Sequence, residues 1–90
     1  MNNDSKYRSI MKRIDLKKVL RMDFMIQHRC TGTPEEFARK LDLSRSTFFE
    51  YLAYFRYELG TDILYDKYQS TYHYNGATLY SALGLKLDNN

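Results

Sequence analysis

The sequence predicts a small, mainly α-helical domain with a small β-hairpin, in which three helices precede the hairpin. Apolar residues recur at helical spacing between Leu16 and Leu59. Helix-start signals occur at Thr33 and again at Ser44, so two short helices must follow each other closely. After Gly60 the apolar period changes to two, which is typical of strands.

The first helix is predicted from about Ser9 to Arg29, a stretch without Gly or Pro. Gly32 follows it and can adopt the left-handed conformation that ends helices. The polar residues 1–8 are expected to be flexible. The predicted apolar face consists of Leu16, Val19, Leu20, Phe24 and Ile26, with Met22 near its edge.

The second helix has a complete start signal. Thr33 suits the N-cap, Pro34 suits the first helical position, and Glu36 completes a capping box with Thr33. The predicted buried residues are Phe37, Ala38 and Leu41. Asp42 lies where the chain must turn sharply, and Asp tolerates the left-handed region better than most residues.

The third helix is predicted from Ser44, its N-cap, to Leu59, with Gly60 ending it. Leu43 is expected to insert into the core just before it. The buried stripe follows the spacing i, i+4, i+7, i+11 and consists of Phe48, Leu52, Phe55 and Leu59.

Two alternating segments around Ile63–Asp66 and Thr71–Asn75 predict the hairpin, with a polar tip at 67–70. Asn75-Gly76 is a turn signal. The tail permits two interpretations: a helical turn within 77–83, or a strand formed by the alternating Leu83, Leu85 and Leu87. The predicted organisation is a flexible N-terminus (1–8), one domain (9–75) and a C-terminal extension (76–90).

Composition limits the function classes. The net charge is +3, but residues 1–30 contain eight Lys/Arg against three Asp, a balance of +5. A basic stretch attracts polyanions, but on charge alone a solvated helix face is the favoured explanation. The single Cys30 excludes an internal disulfide and fits a reducing compartment. No apolar segment is as long as a membrane span or the apolar core of a signal peptide. A cytoplasmic protein is therefore expected.

Catalysis has little support in the sequence. His28, His73 and Cys30 are too few and too scattered for a metal site, and no glycine-rich phosphate loop is present. His28 and Cys30 are most simply a surface histidine and a half-buried thiol. We therefore expect no enzyme activity, no metal and no cofactor.

The segment Ala38-Arg-Lys-Leu-Asp-Leu-Ser-Arg-Ser-Thr47, the helix end Glu58-Leu-Gly60 and the alternating Ile63-Leu-Tyr-Asp66 and Tyr72-His-Tyr74 resemble the winged helix-turn-helix of bacterial transcription regulators. The resemblance covers roughly residues 14–75. It is closest to the DNA-binding domains of DeoR-like and WYL-type regulators and to small stand-alone proteins of similar length. It implies a three-helix winged helix-turn-helix whose third helix enters the major groove of double-stranded DNA.

Under this resemblance the third helix would read bases with side chains outside its buried stripe. Arg45 is the best candidate because Arg can pair two-pronged with guanine, while Phe49 can contact a thymine methyl and Glu50 can accept from cytosine. Related regulators often carry basic residues where this chain has Phe49 and Glu50, so this surface fits a protein partner as well. The remaining candidate contacts, which would hold phosphates or flank the site, are Ser44, Ser46, Thr47, Arg39, Lys67 and Tyr68.

The leading hypothesis is sequence-specific duplex DNA binding by a small transcription regulator. The alternative is a protein–protein interaction module that uses the same fold. A weaker third hypothesis is single-strand binding, because Tyr51, Tyr54 and Tyr57 recur every three residues, although packing against the core explains them better. A homodimer would fit the leading hypothesis, with the first helix or the Leu83-Leu85-Leu87 tail as the contact.

Overall fold

A computed structural model describes residues 14–85 of the chain. Helices α1, α2 and α3 span Leu16–Gln27, Pro34–Lys40 and Arg45–Ala53, and α3 continues as a π-helical segment over Tyr54–Glu58. Strands β1 (Ile63–Asp66) and β2 (Thr71–Tyr74) form an antiparallel hairpin, and a fourth helix, α4, spans Leu79–Ala82. The mainly helical class and the hairpin are confirmed, whereas the described residues contain four α-helices and three had been predicted.

Helix α1 is shorter than predicted. Asp15 has an extended backbone and acts as the N-cap, because its carboxylate accepts a hydrogen bond from the Lys17 amide at 2.9 Å. The helix ends at Gln27, and Arg29 already has a left-handed φ of 52°. The prediction for 9–13 lies outside the described residues.

The predicted apolar face of α1 is partly wrong. Val19, Met22 and Ile26 are buried and form the stripe i, i+3, i+7 that contacts the core. Leu16, Leu20 and Phe24 are 69%, 53% and 59% exposed, because they lie on the adjoining side of the helix. Spacing alone fitted either stripe, and the position of the other helices selects one.

The start of α2 and the turn into α3 are confirmed. Thr33 and Glu36 form the capping box: the Thr33 amide donates to Glu36 Oε1 at 2.8 Å, and the Glu36 amide donates to Thr33 Oγ1 at 3.2 Å. Asp42 has a φ of 59°, as expected for the tight turn. Ser44 caps α3 by accepting from the Thr47 amide at 3.2 Å.

The buried stripe of α3 is confirmed at Phe48, Leu52 and Phe55, whereas Leu59 is only half-buried. The widening to a π-helix after Ala53 was not predicted. Gly60 ends the segment with a φ of 73°, as expected. Thr61 then closes the helix end by donating its hydroxyl to the Phe55 carbonyl at 2.8 Å.

The hairpin register pairs Ile63 with Tyr74 and Tyr65 with Tyr72, so these four side chains share the inner face. Of the two interpretations of the tail, the structure adopts the helical one. Helix α4 begins with a Thr78–Ser81 capping box, and Leu79 is buried in the same core as the other helices. Leu87 lies outside the described residues.

Aromatic side chains join the hairpin to the helices. The Phe37 and Phe48 rings lie 5.2 Å apart edge to face, and the Tyr72 ring is 5.8 and 5.9 Å from them. This cluster fixes strand β2 against α2 and α3. It therefore sets the distance between the hairpin and the start of α3, where the predicted functional residues lie.

Candidate nucleic-acid interface

The start of α3 presents its first polar residues to solvent. Ser44, Arg45 and Ser46 are exposed, and Thr47 is half-buried. The Ser44 hydroxyl accepts from the Thr47 amide and donates to the Thr47 hydroxyl at 3.0 Å. Ser44 and Thr47 therefore serve the helix cap, and their hydroxyl lone pairs can still accept from solvent or a ligand.

Arg45 is held by two neighbours. Its Nη1 forms an ion pair with Glu35 Oε2, which comes from the first turn of α2. Its guanidinium also lies over the Phe49 ring, with 5.4 Å between Cζ and the ring centroid. The best base-reading candidate is thus exposed but oriented by an acidic residue and an aromatic ring.

Glu35 was missed by the sequence analysis, which assigned only its neighbour Glu36 a role. Backbone hydrogen bonding at the start of α2, followed by the hydrogen bond from Arg45, lowers the pKa of Glu35 below its ordinary value. Glu35 is therefore a carboxylate at neutral pH. Its position ten residues before Arg45 gave no signal, because the contact depends on how α2 crosses α3.

One side of the third helix faces solvent. Ser46, Phe49, Ala53 and Tyr57 recur at helical spacing and are all exposed, and we call them the exposed α3 face. Phe49 is 39% exposed and packs edge to face on Phe48, whereas Glu50 is half-buried.

The proposed tyrosine platform is not formed. Tyr51 is buried, and its hydroxyl accepts from the Asp15 amide at 2.8 Å. Tyr54 packs partly against the core, and only Tyr57 is largely exposed. Core packing, the alternative that the sequence favoured, therefore explains Tyr51 and Tyr54 but not Tyr57.

The hairpin tip is held in a defined conformation. Asp66 Oδ1 accepts from the amides of Tyr68 and Gln69 at 2.9 and 3.2 Å, an Asx-type turn. Ser70 adopts a left-handed φ of 53°. Lys67 is exposed and Tyr68 is 92% exposed, so both side chains project from a fixed tip.

Tyr72 is the buried tyrosine of strand β2 that faces the helices. Burial raises the pKa of Tyr72, and the charges of Arg56, Glu35 and Arg45 also act on it. The Tyr72 ring also packs against Phe37 of α2 and Phe48 of α3, so the inner face of the hairpin lies against the two helices that carry Glu35 and Arg45.

The charges on this surface are mixed. Arg39, which is exposed on α2, and Arg45 lie with Glu35 and Asp42 along one groove beside the turn. The hairpin tip adds Lys67 and Asp66. The candidate interface is therefore not a basic patch, and it would rely on the placement of individual groups more than on net charge.

Much of the basic excess in α1 has a structural role. Lys18 Nζ donates to the Leu41 carbonyl at 2.7 Å, and Arg21 Nη2 donates to the Lys40 carbonyl at 2.8 Å. Lys40 Nζ in turn reaches the carbonyls of Cys30 and Thr31 at 3.2 and 3.3 Å. Lys18 and Arg21 thus satisfy carbonyls at the end of α2, where the helix dipole also favours positive charge.

Cys30 is exposed, which corrects the expectation of a half-buried thiol. Its carbonyl is held by Lys40 at the protein surface, which leaves the side chain in solvent. Within residues 14–85, no group of three or more His, Cys, Asp or Glu side chains is placed to hold a metal ion. No helix among these residues is long and apolar enough to cross a membrane.

Comparisons with models of protein families, with curated proteins and with solved structures find no match to this chain.

Proposed function

We propose that the protein binds double-stranded DNA in a sequence-specific manner as a small winged helix-turn-helix regulator. The observation that carries the proposal is the start of α3, where a capped helix presents Arg45, Ser46 and Phe49 to solvent beside the turn at Asp42. A helix that projects polar and basic residues from its first turn suits the major groove.

The hairpin supports this proposal as a candidate wing. Its tip is ordered by Asp66, and Tyr68 and Lys67 extend from it into solvent. Lys67 would contact a phosphate, and Tyr68 would lie along the sugar–phosphate backbone. Arg39 on α2 would contact the backbone on the other side of the turn.

The test is selection of bound sequences from a random duplex pool at near-physiological salt. We expect one enriched motif for the wild-type protein. Arg45→Ala should lose preference at one position of that motif, because a bidentate Arg–guanine contact contributes about 1–3 kcal/mol.

Lys17→Ala is the matched control, because it removes one positive charge from the exposed surface of α1. We expect it to retain the motif. Unchanged affinity and preference in Arg45→Ala would contradict the proposal, as would wild-type binding that shows no enrichment and disappears with added salt.

A protein-interaction module is the second candidate, and the exposed α3 face favours it. Phe49 and Tyr57 expose aromatic surface there, and the surrounding charges are mixed. A partner whose binding is lost in the double variant Phe49→Ala/Glu50→Ala, in a protein that selects no DNA motif, would establish this function. Retained binding of the partner by that variant would show that this surface is not the interface.

We further propose that the protein forms a homodimer through an apolar groove remote from Arg45. The groove is lined by Ile14, Leu16, Val19, Leu20, Tyr54, Leu59, Leu79 and Leu83. Of these lining residues, Leu16, Leu20 and Leu83 are each more than half exposed. Because projecting side chains and groove lie on one surface, two copies related by a two-fold axis can cover both. Such a dimer would leave the start of α3 free in each subunit.

A further inference from the structure

We propose that Glu35, Arg45 and Phe49 form one base-reading unit, which selects a guanine with a thymine on the adjacent base pair. This inference rests on the proposed DNA binding. Arg45 and Phe49 are the residues expected to contact bases, whereas Glu35 would be a positioning residue that acts through Arg45.

The hydrogen bonds of Arg45 leave one edge of its guanidinium group available for a base. Arg45 uses Nη1 for the ion pair with Glu35. A guanidinium has five N–H donors in a fixed fork. Within residues 14–85, the edge formed by Nε and Nη2 has no hydrogen-bond partner, and this edge presents two parallel donors. Two parallel donors match the O6 and N7 acceptors of guanine in the major groove.

Glu35 and Phe49 restrict the Arg45 side chain from two sides. An exposed arginine ordinarily loses rotamer freedom when it binds, and that loss lowers affinity. Here the carboxylate holds one end of the guanidinium, and the Phe49 ring lies against it with Cζ 5.4 Å from the ring centroid. The Arg45 side chain is therefore ordered before DNA binds, and its contact with guanine discriminates more strongly against the other bases.

The spacing of the two reading side chains sets which base pairs they reach. Arg45 and Phe49 are one helical turn apart and in direct contact. The two groups are 5.4 Å apart and successive base pairs are about 3.4 Å apart, so neighbouring pairs lie within their reach. The major-groove feature that an aromatic ring contacts favourably is the thymine C5-methyl group. The expected element is thus a G·C pair directly beside a pair containing thymine.

The experiment uses the full chain and the motif selected by the wild-type protein. Binding is titrated for duplexes in which the guanine is replaced, or in which the adjacent thymine is replaced by deoxyuridine, which lacks only the methyl group. For the wild-type protein we expect a loss of about ten- to a hundredfold at the guanine. The loss at the deoxyuridine should be about fourfold, because one methyl group is removed.

Variants separate the three roles. Phe49→Ala should bind the thymine and deoxyuridine duplexes equally while keeping the guanine preference. Glu35→Ala should bind all duplexes somewhat more tightly, because a negative charge is gone, yet its discrimination at the guanine should fall at least about fivefold. Glu36→Gln is the matched control: it removes the same charge from the neighbouring position, its amide can still complete the capping box, and it should keep full discrimination.

The outcomes distinguish this inference from the proposed function. A wild-type motif without adjacent guanine and thymine, or equal discrimination in Glu35→Ala and Glu36→Gln, would overturn the reading unit while leaving DNA binding intact. A wild-type protein that selects no motif would overturn both.

Discussion

At the scale of single residues, Thr31 shows how the hairpin is attached to the helices. Its side chain is fully buried, its hydroxyl accepts from the Tyr72 amide at 2.8 Å, and its amide donates to Thr71 Oγ1 at 3.2 Å. The two threonine hydroxyls also lie 3.2 Å apart. One buried residue after α1 thus provides hydrogen-bond partners for the start of strand β2.

We predict that Thr31→Val lowers the free energy of unfolding by about 1–3 kcal/mol, because the Tyr72 amide becomes a buried donor without an acceptor. Thr31→Ser keeps the hydroxyl and should recover most of this loss. Chemical denaturation followed by circular dichroism measures both. Equal destabilisation by Val and Ser would show that the methyl group matters and the hydrogen bonds do not.

Tyr74 gives a second prediction at this scale. Burial, and then the 2.7 Å hydrogen bond that Tyr74 donates to Asp23 Oδ1, raises the pKa of Tyr74 above its ordinary value of 10.0. The folded protein retains this proton where the unfolded chain releases it. The contribution to stability is therefore complete below about pH 10 and is lost progressively as the pH rises further.

Tyr74→Phe removes both the hydrogen bond and this titration. We expect a loss of about 1 kcal/mol in unfolding free energy at neutral pH and a shallower decline above pH 10. Some decline should remain, because the pKa of Tyr72 is also raised. Urea unfolding across pH 7–11 measures the unfolding free energy of both proteins. An unchanged decline of this free energy above pH 10 in Tyr74→Phe would contradict the role of Tyr74.

At the scale of elements, α2 depends on its ends. It has only seven residues, and a helix of this length is not stable alone. The Thr33–Glu36 capping box supports its start, and Lys18 and Arg21 from α1 hold its final carbonyls. Because α2 supplies Glu35, the caps also set the position of the carboxylate that contacts Arg45.

We predict that Thr33→Ala costs about 1 kcal/mol in unfolding free energy, because it removes the N-cap acceptor. Thr33→Ser should be close to wild type, since serine is an equally good cap. Thermal unfolding of the three proteins checks this. A Thr33→Ala protein as stable as wild type would mean that packing of Phe37 and Ala38 alone maintains the helix.

At the scale of the whole molecule, the polar groove beside the start of α3 and the apolar groove are lined by different residues. None of the predicted DNA contacts lines the apolar groove. Among residues 14–85, the side chains that line the groove are all uncharged, and such patches on a protein surface often mark contacts with partners. The proposed DNA interface and the proposed dimer interface therefore share no residue.

If the proposed dimer forms, we predict that Leu20→Glu converts it to a monomer, because two carboxylates would be buried at a two-fold interface without partners. Leu64→Glu is the matched control, since Leu64 is 45% exposed on the hairpin, away from the groove. Sedimentation velocity over a range of concentrations measures the effect. A wild-type protein that is monomeric throughout would refute the dimer.

The sequence by itself determined the local features of this protein. Caps at Thr33 and Ser44, the left-handed turn at Asp42 and the helix end at Gly60 depend on residues within four positions of each other, so they were predictable. The hairpin was predictable from its period of two. The mainly helical class with a hairpin followed from these signals.

Only the tertiary structure decided which sides of the elements face each other. The stripe Leu16-Leu20-Phe24 and the stripe Val19-Met22-Ile26 both satisfy helical spacing, and packing against α3 and β2 buried the second. The Glu35–Arg45 pair likewise depends on the crossing of two helices. Local chemistry specifies where a helix begins and ends, whereas its rotation about its own axis is set by the surface it packs against.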